Sequence, residues 1–170
     1  HRLGELRPSD GKALPLAVIV ANAFQASQVE TTLEAARLSL RAPMKFMILG
    51  SGMQGRACAF DLVRNPETES VLLADASAAN LASAKTFLKS KKVETLQVDA
   101  SDTKKIAESA LGRDVLVSCV PYFLNLELAK AAIAAKVHFV DLGGNTDIVL
   151  EELKLGPQAA KAGVTLLPDV

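Results

Sequence analysis

"MILGSGMQGRACAFDLV", residues Met47 to Val63, decides how this chain is read. An apolar run ends at Gly50. Glycines follow at the spacing G-x-G-x-x-G (Gly50, Gly52, Gly55), and an amphipathic stretch begins immediately after them. A continuous apolar run bounded by glycine suits a strand buried on both faces. The glycine spacing alone is weak, because glycine is common in turns. Its context is stronger. Asp75 closes the next apolar run, "SVLLAD", 20 residues beyond Gly55, as the dinucleotide fingerprint requires.

Each position has a physical task in that reading. Gly50 permits the tight turn out of the strand, Gly52 lets backbone approach a pyrophosphate, and Gly55 lets the helix pack close to the sheet. The first turn of the helix, with Met53 and Gln54, presents unpaired N–H groups and the positive end of the dipole to phosphate. Asp75 accepts hydrogen bonds from the adenosine ribose hydroxyls. A 2′-phosphate would meet its charge, and no Arg or Lys follows in "DASAAN", so NAD is expected over NADP.

Outward from this motif, the chain alternates. "KFMILG" is the first strand, and the helix after it runs to about Asn65, stopped by Pro66. "SVLLAD" is the second strand. The helix "SAANLASAKTFLKSKK" has Ser77 as its cap, and its cations at Lys89 to Lys92 suit the C-terminal dipole. "VETLQVDA" alternates apolar with polar, which places it near a sheet edge. "SDTKKIAESALG" is a helix with a Ser or Asp cap. The strand "DVLVSCVP", the helix "NLELAKAAIAAK", the strand "VHFVDLGG", a helical stretch interrupted near Gly156-Pro157, and the strand "VTLLPD" complete the series. Right-handed crossovers then favour a Rossmann-type doubly wound parallel sheet in the order 3-2-1-4-5-6 over residues 44–170.

Residues 1–43 form a separate N-terminal extension. "SQVETTLEAARLSLR" reads as an amphipathic helix opened by a Ser27/Glu30 capping box and ended by Pro43. "ALPLAVIVANAF" is too short to span a bilayer as a helix and only faintly resembles a secretory signal. It is expected to pack as a strand or helix against the main domain, or to be the tail of an upstream domain. The extension's role is not readable from its residues.

Composition narrows the function classes. Of 170 residues, 49% are hydrophobic and none is Trp, so the core must be aliphatic, as in stacked helices on a parallel sheet. Formal net charge is zero, which disfavours nucleic acid as a partner. No membrane association is expected, and the two cysteines, Cys58 and Cys119, match no zinc or redox spacing. They read as small buried apolar residues in a reduced, cytoplasmic setting. No His/Cys/Asp cluster has metal spacing.

At "VSCVPYFLNLELAKAAI", "VHFVDLGGNTD" and "GVTLLPD" the chain resembles the saccharopine dehydrogenase-like family, in particular the branch containing lysine 6-dehydrogenases. The resemblance runs from about Met44 onward. It implies oxidoreductase chemistry, with hydride passing between a nicotinamide and a carbon bearing an amino group, on amino-acid or polyamine-like substrates. It also implies that backbone at Val120-Pro121 and Leu142-Gly143 flanks the nicotinamide and its ribose. A substrate domain that also forms a homo-oligomer follows in the family and is absent from this chain.

Further candidates come from strand ends. Asp99 is read either as a bond to the adenine amine or as a helix cap. Tyr122, the lone Tyr, is a candidate to orient substrate or donate a proton. Asp141 is a candidate to hold the nicotinamide amide or a substrate amine, or to cap the turn after its strand. Asn125 and Asn145 are weaker, being favoured at caps, and His138 reads as a core or face residue. A short-chain dehydrogenase is disfavoured, because the residue four after Tyr122 is Leu126 where that class needs Lys. A regulatory nucleotide-sensing module on the same fold, or a scaffold that binds no nucleotide, is the alternative to an enzyme.

Overall fold

The computed structural model describes residues 43–170. The readings of Ala13–Phe24 and Ser27–Arg41 lie outside the described residues. Within them, β1 (Met44–Leu49) leads through α1 (Met53–Arg64) to β2 (Thr68–Asp75), and α2 (Ala78–Leu88) leads to β3 (Val93–Gln97). The second half carries α3 (Thr103–Ala110), β4 (Val115–Ser118), a 3₁₀ turn (Tyr122–Leu124), α4 (Asn125–Ala135) and β5 (His138–Asp141). It closes with α5 (Thr146–Leu153), α6 (Gly156–Ala162) and β6 (Leu166–Leu167). All pairings are parallel, and the order is β3-β2-β1-β4-β5-β6, the doubly wound arrangement expected from the alternation.

The continuous apolar runs are explained by burial on both faces. Side chains alternate across a strand, so Met47 and Leu49 of β1 join Leu72, Ala74, Leu116 and Phe139 in a core with Ile106 of α3 and Leu128 of α4. Ile48 points the other way. It joins Val71, Leu73 and Val117 in a second core with Ala59 of α1 and Leu81, Ala84 and Leu88 of α2. β3 lies at the sheet edge, where Val93 is buried and Glu94, Thr95 and Gln97 are exposed.

Local chemistry sets the helix ends. Ser77 Oγ accepts from Asn80 N (3.2 Å) and so caps α2. Asp102, not Ser101 or Asp99, caps α3 by accepting from Lys105 N (3.1 Å). Asn145 caps α5, accepting from Asp147 N (2.9 Å) and Ile148 N (3.3 Å). The helical stretch after it breaks at Lys154-Leu155, and Pro157 sits in the first turn of α6, where a missing N–H costs nothing.

Two expectations need correction. α2 stops at Leu88, with Lys89 in the left-handed conformation (φ 46°), so the run Lys89–Lys92 lies past the helix rather than in its last turn. Lys92 Nζ instead donates to Asn65 O at 2.9 Å, at the C-terminal end of α1. The last strand is only Leu166–Leu167, because Pro168 has no N–H to continue the ladder.

Candidate dinucleotide-binding site

The fingerprint glycines are each demanded by a contact. Gly50 turns the chain out of β1 with φ +91°, and a Cβ there would stand 2.7 Å from the Cys119 carbonyl oxygen. A Cβ on Gly55 would stand 1.7 Å from the Gly50 carbonyl oxygen, so α1 sits directly on the loop. Gly52 differs. Nothing lies within 4 Å of its Cβ position, so its lack of a side chain leaves open space at the mouth of the loop. Gly52 is also the residue before α1, which makes Met53 and Gln54 its first two positions. Their N–H groups have no acceptor within the helix and are free for an anion.

This loop forms one wall of a cleft of about 330 Å³ at the point where β1 separates β2 from β4. Gly50, Gly52, Asp75, Asp99, Val120 and Pro121 all line it, together with Asn80 and Cys119. Residues from the ends of β1, β2, β3 and β4 therefore converge on one cleft. The polar groups needed for orientation are few and sit among apolar ones, as in small-molecule sites generally.

Asp75 is held firmly. Its Oδ2 accepts from both Ser51 N (2.7 Å) and Ser51 Oγ (2.8 Å), and its Oδ1 accepts from Ser77 N (2.7 Å). Partial burial pushes the carboxyl up, but the N–H groups of Ser51 and Ser77, the Ser51 hydroxyl and the Asn80 side chain outweigh it. The result is a carboxyl below its ordinary range, ionised and fixed in direction. Ser51, fully buried, and Asn80 were not singled out from the sequence. A serine inside a G-S-G turn carries no signal until the strand end it faces is known.

Asp99 lies two residues beyond β3. Its Oδ1 accepts from Ser101 N (2.8 Å) and Ser101 Oγ (2.7 Å), which pulls its carboxyl down. The helix-cap alternative is removed, since Asp102 takes that task. Arg56 of α1 reaches back to the loop, with Nε 3.4 Å from Gly52 O and Nη1 3.2 Å from Ser83 Oγ.

The other strand-end residues do not line this cleft. Tyr122 opens the 3₁₀ turn and is 41% exposed, edge-on to Phe123 with ring centroids 5.8 Å apart. Leu142 and Gly143 form the turn after β5, and Asp169 packs against Gly143 so closely that a Cβ there would meet its carboxylate at 1.7 Å. Asp141 is fully buried. Its Oδ1 accepts from Gly143 N (2.7 Å) and Asp169 N (3.3 Å), and its backbone oxygen accepts from Val170 N (3.1 Å). The arrangement matches the turn-capping alternative and gives its carboxyl no open path to a substrate.

Glu152 of α5, 1% exposed, is the neighbour that sequence reasoning missed. Asp141 Oδ2 and both Glu152 carboxyl oxygens meet no other donor. Burial first, then the charge of Asp141 and a bond to it, push the Glu152 carboxyl up to about 7. A proton held on Glu152 supplies the missing donor between the two acids. Asn125, 2% exposed, accepts from Ser118 Oγ at 2.7 Å, and His138 Nδ1 accepts from Thr165 N at 2.9 Å. Both are structural bonds. Among the described residues no group of three or more His, Cys, Asp or Glu could hold a metal ion, and no helix is long and apolar enough to cross a membrane.

Solved structures share this fold. The chain is similar to saccharopine dehydrogenase (L-Glu forming) from Saccharomyces cerevisiae, with a TM-score of 0.63 and 24% identity over 75% of this chain and 27% of that one. The WlbA dehydrogenase from Chromobacterium violaceum, solved with NADH and UDP-GlcNAcA, matches at TM-score 0.58 and 15% identity, over 75% of this chain and 35% of that one. Biliverdin reductase from Synechocystis sp. PCC 6803, solved with biliverdin and NADP+, matches at 0.57 and 20%, over 74% and 37%. Both dinucleotides thus occur on this fold, and the chain spans well under half the length of each of these proteins. Residues 46–167 match the family described as the saccharopine dehydrogenase NADP binding domain, and the chain belongs to that family as an NAD(P)-binding domain.

Proposed function

We propose that the chain is the cofactor-binding domain of an NAD-dependent oxidoreductase of saccharopine or lysine dehydrogenase type. The observation that carries the preference for NAD is the Asp75 carboxylate, fixed by Ser51 and Ser77 and held ionised at the wall of the cleft. A ribose diol donates to such a group, whereas a 2′-phosphate is repelled by it. The nicotinamide supplies the hydride chemistry, at a carbon bearing an amino group of an amino-acid or polyamine-like substrate.

This chain's own residues have more limited tasks. The Gly50–Gly55 loop and the first turn of α1 receive the pyrophosphate. Val120 and Pro121 continue the cleft from the ribose towards the strand ends where Tyr122 stands exposed. Tyr122 is the candidate to meet the substrate. Asp141 holds the Leu142–Gly143 turn in place from beneath rather than touching the reacting atoms. The resemblance adds a substrate domain and a homo-oligomer in the longer protein.

The test is a calorimetric titration of the chain with NADH and NADPH, on the wild type and on Asp75→Ala. Tighter binding of NADH, with the preference lost in the variant, supports the reading. Equal affinities of wild type and variant for NADH would overturn the placement of the ribose at Asp75.

A further inference from the structure

The two cysteines, 61 positions apart in sequence, are the only ones in the chain, and the fold brings them together. Gly55 of α1 faces Cys119, with 3.6 Å between its Cβ position and Cys119 Cβ. Cys58 lies one turn further along α1, on the same face. Both side chains pack on the same cluster, which holds Ile48, Val71, Leu73 and Val117. Cys119 also lines the cleft and is tied to β1 by its N–H to Leu49 O (2.8 Å). Both are free thiols and neither is fully buried.

We propose that Cys58 and Cys119 form an oxidative modification site, at which a peroxide produces an intramolecular disulfide that ties α1 to the end of β4 and weakens dinucleotide binding. The pairing with Cys119 pulls the Cys58 thiol down, against burial and the charge of Asp61, and pushes the Cys119 thiol up, so the step is written with Cys58 as the attacking thiolate. The Cys58 thiolate attacks one peroxide oxygen. An S–O bond forms, the O–O bond breaks, and the departing hydroxide takes a proton to leave as water. The Cys119 sulfur then attacks the Cys58 sulfenic sulfur; the S–S bond forms, the S–O bond breaks, and the second water carries off the Cys119 proton. Two thiols lose two electrons in all, and one peroxide is reduced to two waters.

The consequence for the cleft follows from how tightly the loop is packed. Bringing the sulfurs to covalent distance draws α1 and the segment after β4 together. That motion presses on Gly50 and Gly55, where a Cβ would stand 2.7 Å from Cys119 O and 1.7 Å from Gly50 O respectively. The cradle distorts, and by reciprocity a bound dinucleotide opposes the disulfide. This second part rests on the proposed function; the disulfide itself does not.

The experiment uses this chain, fully reduced and then treated with hydrogen peroxide, with and without NAD. Alkylation and peptide mass mapping read the Cys58–Cys119 link, and calorimetry after peroxide removal reads NADH affinity. The expected result is the linked peptide, slower linking with NAD present, and about tenfold weaker NADH binding by the oxidised chain. Cys58→Ser is expected to prevent the link and to make NADH affinity indifferent to peroxide. Sulfenic or higher acids on one cysteine with the other left free would overturn the site. Equal NADH affinity of linked and reduced chain would overturn the coupling. A link that forms in a chain whose reduced form binds no NADH leaves the modification site standing and removes the cofactor reading instead.

Discussion

Asp75 accepts three hydrogen bonds within this chain, and two of them come from Ser51. A carboxylate offers about four lone-pair positions, and in the proposed site Ser51 takes two of those that a ribose hydroxyl would otherwise reach. Oδ2 accepts both Ser51 bonds and Oδ1 accepts only that from Ser77 N, so Oδ1 has the more lone-pair capacity left. Ser51→Ala removes one of the bonds that keep Asp75 ionised and fixed. We expect NADH affinity to fall about fivefold, the equivalent of one hydrogen bond of roughly 1 kcal/mol, with a smaller change for NADPH. The ratio of the two affinities, measured by titration, checks this, because general damage to the fold would lower both alike. The residue scale is also where sequence reading was weakest. Asp75 was legible from its distance to the glycines, but Ser51 and Asn80 were not, since their roles depend on which strand end each loop faces.

At the scale of elements, the strand–loop–α1 unit shows that its three glycines are not equivalent. Gly55→Ala places a methyl on the Gly50 carbonyl oxygen, so helix or loop must move. An overpacking cost of about 1–3 kcal/mol is expected, seen as a lower denaturation midpoint together with lost NADH binding. Gly52→Ala meets nothing within 4 Å, and Gly52 already has φ −66°. Its fold stability is expected to change by less than about 1 kcal/mol, while NADH affinity falls because the methyl occupies the approach of the pyrophosphate. Denaturation and titration on the same two proteins check the pair. If both variants lost stability equally, the open space at Gly52 would not be real. The pattern G-x-G-x-x-G names these positions, but only packing separates the glycine that makes room for ligand from the glycine that makes room for a helix.

At the scale of the whole molecule, the buried acid pair Asp141–Glu152 couples α5, β5 and the segment ending at Val170. The Glu152 carboxyl is raised from 4.5 to about 7 in the folded chain. A group raised on folding binds its proton more tightly when native. Its contribution is complete below the unfolded value and is lost as pH rises through the folded one. We therefore expect Tm to decline between about pH 5 and pH 8, and Glu152→Gln, which keeps a donor towards Asp141 at every pH, to flatten that decline. Thermal denaturation across this range, on both proteins, checks it; an unchanged slope in the variant would show that Glu152 is not the group. Asp75 acts in the opposite sense, since its lowered pKa makes stability fall as acid protonates it.

By itself the sequence determined the strand order, the glycine loop, Asp75 and the family. The first three follow from periodicity, from turn chemistry and from short distances along the chain; the family follows from the resemblance of the strand-end motifs. Tertiary structure decided what depends on partners distant in sequence. Cys58 and Cys119 match no spacing motif, yet pack against one cluster once α1 lies across the sheet. Asp141, readable as a substrate contact or as a turn cap, is buried against an acid 11 residues later because α5 folds back over β5. Asp99 lost its capping alternative because the helix begins one turn later, at Asp102. In each case the residue type stated what the side chain was able to do, and burial and neighbours settled which of those things it does.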